Sequence, residues 1–564
     1  MFDPATKAHV LARAIVENAL VNCIKKGILP EIGDYSFTIE IPKDLTKGDL
    51  ACNVAMSTAK LFKLPPIKIA EVILNEIGSR KEDSIFARME IAGPGFINMY
   101  YSNKFYNEAL KGILTSGKDY GRTDTGQNRK YMVEYVSANP TGPMHLGNAR
   151  GGALGDCLAG ILQTAGYDVW REFYVNDAGS QIEKFAKSLE ARYLQIYDST
   201  KEMPEDGYMG QDIINHADEF ARIHGDSYLE KSSEELKQAL VDFALPINLK
   251  GMKEDLLRYR IEYDMWFKES ILHQNHTVEK IVEILRDKGA LYEKDGALWY
   301  KATDYGSDKD EVLVRSNGFY TYFAVDIAYH YNKFVERGFE TVINVWGADH
   351  HGHVQRLKGA MDAIGLRGDK LHIVLNQMVT LIQDGEIVRM SKRTGKAITL
   401  STLLDEVPID AARFFFNMRE PKSHLDFDLD LAAKQSGDNP VYYVQYAYAR
   451  ICSILKGLTA NGIDIDKSLD YDYTVLNAPE EKALIRYLAY LPSEIEAAAR
   501  EFNPARVTRY TIELATLFHK FYTNCRVKGE SDNIMYPRIA LCIASRQVIS
   551  NCLGILKITA PESM

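Results

Sequence analysis

The sequence predicts an α/β protein built on a doubly wound parallel sheet, with a helical insertion, a small α+β domain before the sheet and an all-α domain after it. Short apolar runs alternate with helical stretches between residues 131 and 379, as in parallel strands joined by helices. Charged helical sequence interrupts this alternation at about 180–291, and the chain after 440 is almost wholly helical. At 564 residues the chain is too long for one core. We expect three domains, 1–121, 122–404 and 405–564.

Composition excludes several classes of protein. The net charge of −10 argues against a uniformly basic nucleic-acid coat, so any RNA contact must come from local basic and aromatic patches. The seven cysteines are odd in number, scattered and never spaced C-x-x-C, which is typical of reduced thiols. No apolar run reaches membrane-spanning length, and the first residues do not combine an apolar core with a cleavage site. We therefore expect a soluble cytoplasmic protein with no membrane contact.

The first hundred residues predict a small α+β domain. An amphipathic helix over 4–25 would bury Val10, Ile15, Ala19, Leu20 and Ile24, which recur at helical spacing. Strand-like alternation follows at 35–41 and 87–101, and helices are predicted over 48–62 and 67–77.

A strand, a glycine-containing turn and a helix start between Lys130 and Gly160 predict a nucleotide site. An apolar strand over 131–136 precedes a turn and a helix that opens with Met144-His145-Leu146-Gly147-Asn148. A helix N-terminus offers unpaired N–H groups and a positive dipole end to phosphate. Gly147, Gly151 and Gly152 would let the ligand approach, and His145 would donate to a phosphoryl oxygen. The alternative is a glycine-rich helix start with a core histidine.

A second signal is the polar loop over 385–395, which carries Lys392 between Arg389 and Arg393. Three cations near a triphosphate would hold the leaving pyrophosphate. Taken alone, such a loop is usually only a solvated face.

The chain between these two signals predicts further strands of the sheet. A strand over 168–175 ends in Asn176-Asp177-Ala178-Gly179, at the sheet edge where ligands bind. The insertion is expected to contain helices over 180–197, 210–222 and 233–258. Strands are predicted over 296–301, 311–315, 341–346 and 371–379, and a helix over 321–337.

Two carboxylates and a phenol suggest a guanidinium site. Glu134 lies inside an apolar strand, so it needs a cationic partner or exposure at the mouth of a site. Asp326 follows Tyr322 by one helical turn, so their side chains share a face. A guanidinium presents a planar fork of donors that suits carboxylates. The alternative is that Glu134 pairs with a structural arginine such as Arg150.

The segment Asp349-His350-His351-Gly352-His353 has the residue types of a zinc site. Adjacent histidines in an extended segment point to opposite faces, and no fourth ligand follows at a familiar spacing. We therefore predict no protein-bound metal there, and we take Gly347 and Asp349 as candidates for contact with a nucleotide.

The C-terminal region predicts a helical domain that contacts RNA. After a breaker at 436–440, the helix VYYVQYAYARICSIL carries Tyr443, Tyr446 and Arg450, which could stack on unpaired bases. The alternative is that most of its tyrosines belong to the core.

His145-Leu146-Gly147-Asn148 resembles the HIGH signature of class I aminoacyl-tRNA synthetases, and Arg389-Met390-Ser391-Lys392-Arg393 resembles their KMSKS signature. The resemblance implies a Rossmann-like catalytic sheet, catalytic roles for His145, Gly147, Asn148 and Lys392, and ATP contacts from Gly151, Met390 and Ser391. Asn148 stands where the signature has its second histidine, and Arg389 where it has its first lysine.

Within that class, the chain resembles arginyl-tRNA synthetases. Their E-x-x-S-x-N pattern matches Glu134, Ser137 and Asn139, and their Y-x-x-x-D pattern matches Tyr322 and Asp326. The resemblance implies that Glu134, Tyr322 and Asp326 hold the arginine guanidinium. Ser137 and Asn139 would hold the α-amino and carboxylate groups.

Other segments extend this resemblance over nearly the whole chain. WGADHHGH resembles the segment that faces the ribose and the substrate, which implies nucleotide contacts from Gly347 and Asp349 and an arginine contact from His350. GDLACNVAMSTAKLFK and EIAGPGFINM resemble the N-terminal domain that contacts the D-loop side of tRNA. Residues 410–413 and the end LGILKITAPESM resemble the DALR-type anticodon-binding domain, which implies anticodon contacts from Tyr443, Tyr446 and Arg450.

The family resemblance implies ATP-dependent attachment of L-arginine to the 3′ end of tRNA(Arg) through an arginyl-adenylate, with release of AMP and pyrophosphate. It implies magnesium with ATP and adenylate formation that requires bound tRNA. We expect a monomer. Two other classes remain open: a nucleotidyl transferase or small-molecule ligase with the same two signatures, as in pantothenate synthetase-like enzymes, and a catalytically silent, tRNA-binding paralogue.

Overall fold

The N-terminal part of the chain forms an antiparallel sheet covered by helices. The computed structural model describes residues 1–78, 84–389 and 398–564. The sheet has the strand order β1-β2-β4-β3. Its elements are α1 (Pro4–Lys25), β1 (Ile39–Glu40), β2 (Leu50–Cys52), α2 (Val54–Phe62), α3 (Pro66–Ile77), β3 (Phe86–Ala92), β4 (Phe96–Tyr101) and α4 (Asn103–Ser116).

Three local predictions in this part need correction. Val10 is 63% exposed, because the face of α1 that packs on the core is formed by Ala8, Ala12, Val16 and Ala19. The helix predicted over 48–62 begins at Val54, since residues 50–52 pair with β4 as strand β2. The strand predicted over 35–41 is reduced to residues 39–40.

The central sheet has five parallel strands in the order β12-β11-β5-β6-β7. Its elements are β5 (Lys130–Glu134), α5 (Leu146–Thr164), β6 (Asp168–Val175), β7 (Met265–Lys268), β11 (Thr341–Gly347), α12 (His351–Ala363) and β12 (Leu371–Asn376). The parallel, doubly wound sheet is confirmed. Because β5 is central, Glu134 at its carboxyl end pairs in register with Glu172 on one side and Asn344 on the other.

Between β6 and β7 the chain forms a helical subdomain. Its helices are α6 (Gly179–Tyr197), α7 (Gln211–His224) and α8 (Ser233–Arg258), which pack around Phe185, Leu189, Phe220 and Leu240. The start of α8 follows from a capping box in which Ser232 and Glu235 bond each other's backbone N–H. The predicted insertion of 180–291 therefore includes one strand of the central sheet, since β7 belongs to that sheet.

After β7, the chain forms a small antiparallel sheet before it returns to the central sheet at β11. Its order is β10-β9-β8, so the strands predicted near 296 and 311 exist but lie outside the parallel sheet. A π-helical turn, Asn332–Glu336, then extends α11. The elements are α9 (Ser270–Gln274), α10 (Thr277–Asp287), β8 (Leu291–Lys294), β9 (Ala297–Tyr300), β10 (Glu311–Val314) and α11 (Tyr322–Tyr331).

The strand predicted over 371–379 is two strands, β12 and β13, and β13 lies in a third sheet of order β14-β13-β15. The elements are β13 (Val379–Gln383), β14 (Glu386–Val388), α13 (Leu400–Glu406), α14 (Ile409–Phe416), β15 (Leu425–Asp428) and α15 (Leu429–Ala433). Lys392 and Arg393, two of the three cations predicted to hold the pyrophosphate, lie outside the described residues, as do the predicted ATP contacts Met390 and Ser391.

The remaining chain is helical, as predicted. It comprises α16 (Pro440–Ala460), α17 (Pro479–Ala489), α18 (Leu491–Glu501), α19 (Ala505–Asn524) and α20 (Asp532–Ile555). Across residues 1–78, 84–389 and 398–564, no helix combines the length and apolarity needed to cross a bilayer.

A buried ionic cluster joins the segment after the last helix to α5, which packs on the central sheet. Asp156 on α5 accepts hydrogen bonds from Arg413 Nη2 at 2.6 Å and Lys557 Nζ at 2.9 Å. The side chains of Asp156 and Arg413 are fully buried. Arg413 also donates to the backbone carbonyls of Leu556 and Tyr259. The segment after α20 is thereby attached to both α5 and α14.

Candidate active site

The N-terminus of α5 lies at the carboxyl edge of the central sheet, as the nucleotide prediction requires. His145 is its N-cap, and its backbone N–H donates to Asn148 Oδ1 at 3.1 Å. Asn148 therefore helps to form the helix start. His145 and Gly147 are exposed, so the first turn of the helix is open to a ligand.

The chain that follows the loop carrying Lys392 lies beside this helix start. Thr399, which follows the loop, forms an antiparallel bridge with His145, and Leu400 N–H donates to Met144 O at 2.9 Å. Lys392 itself lies outside the described residues, so its predicted role stays a prediction.

The glycines of α5 have different surroundings. A Cβ at Gly147 would meet nothing within 4 Å, whereas one at Gly151 would lie 3.6 Å from Asn376 Nδ2. A Cβ at Gly152 would lie 2.9 Å from Ile261 Cδ1. Gly152 therefore permits packing within the protein, in contrast to its predicted approach to a ligand. Asn376, which the sequence motifs missed, has a buried Oδ1 without a hydrogen-bond partner.

Glu134 is buried and has a cationic partner. Lys333 Nζ donates to Glu134 Oε2, and Ser137 Oγ donates to Oε1 at 2.9 Å. The Lys333 side chain is 0% exposed. A buried ammonium group needs an anionic partner, and Glu134 supplies it. The alternative partner Arg150 is wrong, because its guanidinium donates to the carbonyls of Gln377, Ser423 and Glu420.

Ser137, three residues after the end of β5, lies in a segment with an unusual backbone conformation. Val136 and Ser137 have φ of 69° and 40°, in the region that residues with side chains seldom adopt. Ser137 Oγ also accepts from Tyr174 N–H at 3.1 Å. Asn139, two residues on, is exposed.

Tyr322 and Asp326 lie on the first turns of α11. Tyr322 is 42% exposed, and its hydroxyl contacts Ser180 Oγ. Asp326 Oδ2 is 2.8 Å from His353 Nε2. His353 is thus the histidine beside this carboxylate, although its sequence context suggested only a metal ligand.

His350 and Asp349 are exposed at the end of β11. Asp349 Oδ2 is 3.6 Å from His350 Nε2, and the His350 ring lies 5.9 Å from that of Trp346. A Cβ at Gly347 would lie 2.4 Å from Asp349 Oδ1, so a side chain there would require the exposed Asp349 carboxylate to turn away. Within the described ranges, no group of three or more His, Cys, Asp or Glu side chains could hold a metal ion.

A further carboxylate, Glu269, completes the acidic side of the site. Tyr174 O–H donates to Glu269 Oε2 at 2.7 Å. The pKa of Tyr174 is raised by burial and by the negative charges of Glu269, Asp326 and Glu134. All three carboxylates therefore lie within electrostatic reach of the Tyr174 hydroxyl. Burial, partly offset by the Tyr174 hydrogen bond and increased by Asp326 and Asp177, raises the pKa of Glu269 to about 7. No sequence motif indicated Glu269, which lies in the predicted insertion.

The predicted base-stacking residues converge on one histidine. The rings of Tyr443 and Tyr446 lie 5.2 and 6.0 Å from His519 on α19, and Arg450 Nη1 is 3.5 Å from His519 Nδ1. Burial and Arg450 lower the pKa of His519, which favours a neutral ring. Tyr446 is 44% exposed, whereas Tyr443 is half-buried and bonds Thr516. Tyr443 is therefore partly a core residue, which is the alternative that the sequence left open for the tyrosines of this helix.

Three family models match the chain. They are the arginyl tRNA synthetase N terminal domain over residues 12–101, the tRNA synthetases class I (R) catalytic domain over 109–428, and the DALR anticodon binding domain over 444–564. An arginine–tRNA ligase of Caldanaerobacter subterraneus subsp. tengcongensis is 54% identical over 558 residues, which cover 99% of each chain. This chain belongs to the arginyl-tRNA synthetase family.

Other members of the arginyl-tRNA synthetase family support the assignment. The arginine–tRNA ligase of Acetivibrio thermocellus is 50% identical over 552 residues, or 98% of each chain. The Thermus thermophilus arginyl-tRNA synthetase structure aligns with a TM-score of 0.73 over 98% of this chain and 100% of that one. At 22% identity this last match supports the fold. The sequence-based recognition of the family is confirmed.

Proposed function

We propose that this chain attaches L-arginine to the 3′ end of tRNA(Arg), using ATP and releasing AMP and pyrophosphate. The observation that carries the proposal is the placement of an open helix N-terminus and a buried acidic region at the same edge of one parallel sheet. The first suits phosphate and the second suits a guanidinium. Membership of the arginyl-tRNA synthetase family supports the same reaction.

In the first step, the arginine carboxylate attacks the α-phosphate of ATP. Charge that develops on the phosphates would be stabilised by the N–H groups at the start of α5, by His145 and by Lys392. Asn148 acts through the helix start, because its side chain already caps His145 N–H. ATP enters as its magnesium complex, with Met390 and Ser391 beside the phosphates.

The nucleoside would lie between the first turns of α5 and the end of β11. Gly151, Gly347 and Asp349 are its proposed contacts. A ligand donor would satisfy the buried Oδ1 of Asn376, which lies against Gly151.

The arginine side chain would extend into the acidic region. Glu134, Tyr322 and Asp326 are proposed to hold the guanidinium, with Ser137 and Asn139 on the α-amino and carboxylate groups and His350 at the substrate. Glu134 is already paired with the buried Lys333, so it would contribute to guanidinium binding as one member of an ion pair.

In the second step, the 2′-hydroxyl of the terminal ribose attacks the arginyl-adenylate. No protein side chain acts as nucleophile. The N-terminal domain, 1–121, would contact the D-loop side of tRNA. Tyr443, Tyr446 and Arg450 in the domain 405–564 would contact anticodon bases, and the catalytic domain would span 122–404. The proposal includes a cytoplasmic monomer, and sedimentation of the purified chain tests the oligomeric state.

The experiment is transfer of each of the twenty labelled amino acids to total tRNA with ATP and magnesium, run beside ATP–pyrophosphate exchange with and without tRNA. Charging with arginine alone is expected, and exchange only when tRNA is present. A His145→Ala variant serves as the matched control and should lose both activities. Charging of another amino acid would overturn the guanidinium assignments. Binding of tRNA without any charging would favour a silent paralogue.

A further inference from the structure

The turn between β5 and α5 links three of the proposed site residues and is stiffened by proline. Residues 139–143 read Asn-Pro-Thr-Gly-Pro and lie between Ser137 and His145. The ring of Pro140 fixes its own φ and biases Asn139 towards an extended backbone. A contact that fixes the Pro140 carbonyl therefore also fixes the direction in which Asn139 leaves the turn.

Both ends of this turn are attached to the catalytic region. At the first end, Ser137 Oγ donates to the Glu134 carboxylate and accepts from Tyr174 N–H. At the second end, Leu400 N–H donates to Met144 O at 2.9 Å. The middle of the turn is attached to a different part of the chain, the helical insertion between β6 and β7.

Asn248 on α8 makes this attachment. Its Nδ2 donates to Pro140 O at 3.0 Å. Its Oδ1 lies 2.8 Å from Nε2 of His216 on α7, a residue that is 9% exposed. With the proton on Nε2, His216 donates to Oδ1, and the amide then presents its NH2 group to Pro140. The start of α7 also approaches the turn, because a Cβ at Gly142 would lie 3.3 Å from Asp212 Oδ2.

The position of Asn248 is set by two hydrophobic cores. Leu240 and Ala244, which precede it on α8, pack in the core of the insertion. Met252 and Leu256, which follow it on the same helix, pack in the main core of the protein. Because α8 is fixed in both cores, a side chain at its middle can hold the turn from a rigid support.

We propose that Asn248 is a positioning residue for the reaction. Its amide, oriented by His216, holds the Pro140 carbonyl so that Asn139 places the amino-acid carboxylate for attack on the α-phosphate. This inference rests on the proposed function. It assigns to the helical insertion a part in the first chemical step, which no motif of the sequence indicated.

The test is Asn248→Asp in the full chain. Aspartate has the same shape and still accepts from His216, but its carboxylate cannot donate to the Pro140 carbonyl. ATP–pyrophosphate exchange at saturating tRNA gives kcat and the arginine KM, and aminoacylation gives the tRNA KM. Asn248→Gln is the conservative variant, because it keeps the amide donor on a side chain that is longer by one methylene.

Tyr193→Phe is the matched control. Tyr193 on α6 donates to Gly225 O at 2.8 Å, so its hydroxyl also joins a side chain of the insertion to a backbone carbonyl. This contact lies within the insertion itself. The variant should therefore leave the exchange kcat unchanged, whatever it does to the unfolding midpoint.

We expect the exchange kcat of Asn248→Asp to fall about 10- to 100-fold, the loss that a displacement of about 1 Å causes at a reacting group. The arginine KM should change less than about threefold, because Glu134, Tyr322 and Asp326 lie outside the turn. The tRNA KM should not change, and Asn248→Gln should recover part of the lost rate. His216→Phe, which leaves the amide of Asn248 free to rotate, should lower kcat about 2- to 10-fold, as loss of one neutral hydrogen bond predicts.

Three results would overturn the inference: an unchanged exchange kcat in Asn248→Asp, an equal loss of kcat in Tyr193→Phe, or a rise in the tRNA KM without a fall in kcat. If Asn248→Asp does not fold, His216→Phe decides, and an unchanged kcat in that variant overturns the inference. Wild-type exchange is measured first. If the wild type shows no exchange with tRNA present, the proposed function fails, whereas wild-type exchange with an unaffected Asn248→Asp refutes only the role of Asn248.

Discussion

Asp156→Asn removes the anion at the centre of the cluster between α5, α14 and the segment after α20. Asparagine has the same shape and keeps an acceptor, but it leaves the guanidinium of Arg413 buried without a countercharge. The Lys557 side chain, 32% exposed, can turn towards solvent, whereas Arg413 is fully buried and cannot. Arg413 therefore determines the size of the effect.

Breaking a buried ion pair by removing one partner costs about 3–5 kcal/mol. Unfolding entropy is about 2.1 cal/mol/K per residue, so over the roughly 300 residues of the catalytic region this loss lowers the melting midpoint by about 5–8 °C. The double variant Asp156→Asn/Arg413→Met should recover part of the lost melting temperature, because it no longer buries an unpaired guanidinium.

The contribution of Asp156 to stability should decrease as the pH falls. Burial alone would raise the pKa of Asp156, but Arg413 and Lys557 hold it below its ordinary value. Its contribution to stability is therefore present above the unfolded pKa of about 3.9 and is lost as the pH falls through the folded pKa. The difference in melting midpoint between the wild type and Asp156→Asn should have its full size at pH 7 and should become smaller below about pH 4.

Thermal unfolding followed by circular dichroism measures these midpoints. Asp438→Asn is the control, since Asp438 pairs with Lys434 at the exposed surface and its loss should leave the midpoint unchanged. A midpoint for Asp156→Asn within 2 °C of the wild type would refute the argument. So would a double variant less stable than Asp156→Asn alone.

Three further predictions concern activity. Asp326→Asn should raise the arginine KM about 10- to 100-fold while kcat is retained; a fall in kcat alone would contradict a guanidinium contact. Lys392→Ala should slow adenylate formation strongly without weakening arginine binding, and unchanged pyrophosphate exchange would remove its role. Tyr446→Ala should weaken tRNA binding by about 1–3 kcal/mol, whereas Tyr446→Phe should retain it; equal loss in both variants would exclude stacking as the cause.

Sequence periodicity predicted the long elements well because their patterns are local. The helix α8, Ser233–Arg258, is confirmed at both ends. The four-residue strand β7 was missed, since so short an apolar run inside charged sequence carries no periodic signal. The exposed face of α1 was misjudged at Val10 because the buried stripe around it consists of the alanines Ala5, Ala8 and Ala12, and larger side chains join that stripe only from Val16 onwards.

At the site, sequence motifs indicated residues that lie together, but not their partners. Glu134 needed a cation, and the structure supplies Lys333 from 199 residues further along the chain. Glu269 approaches Tyr174 across a separation of 95 residues, and His353 approaches Asp326 across 27. Such pairs depend on strand order and helix placement, which one sequence does not encode locally. The roles assigned to the motif residues remain predictions.

The cluster around Asp156 also bears on how the chain is made. Asp156 and Lys557 are 401 residues apart, and Arg413 lies between them in order of synthesis. A ribosome that adds about 5–20 residues per second would need about 20–80 seconds to proceed from the first to the last. Throughout that time α5 has a carboxylate without its full set of cations. The nascent catalytic sheet should therefore remain open to chaperones and proteases until residues 556–559 emerge and close it.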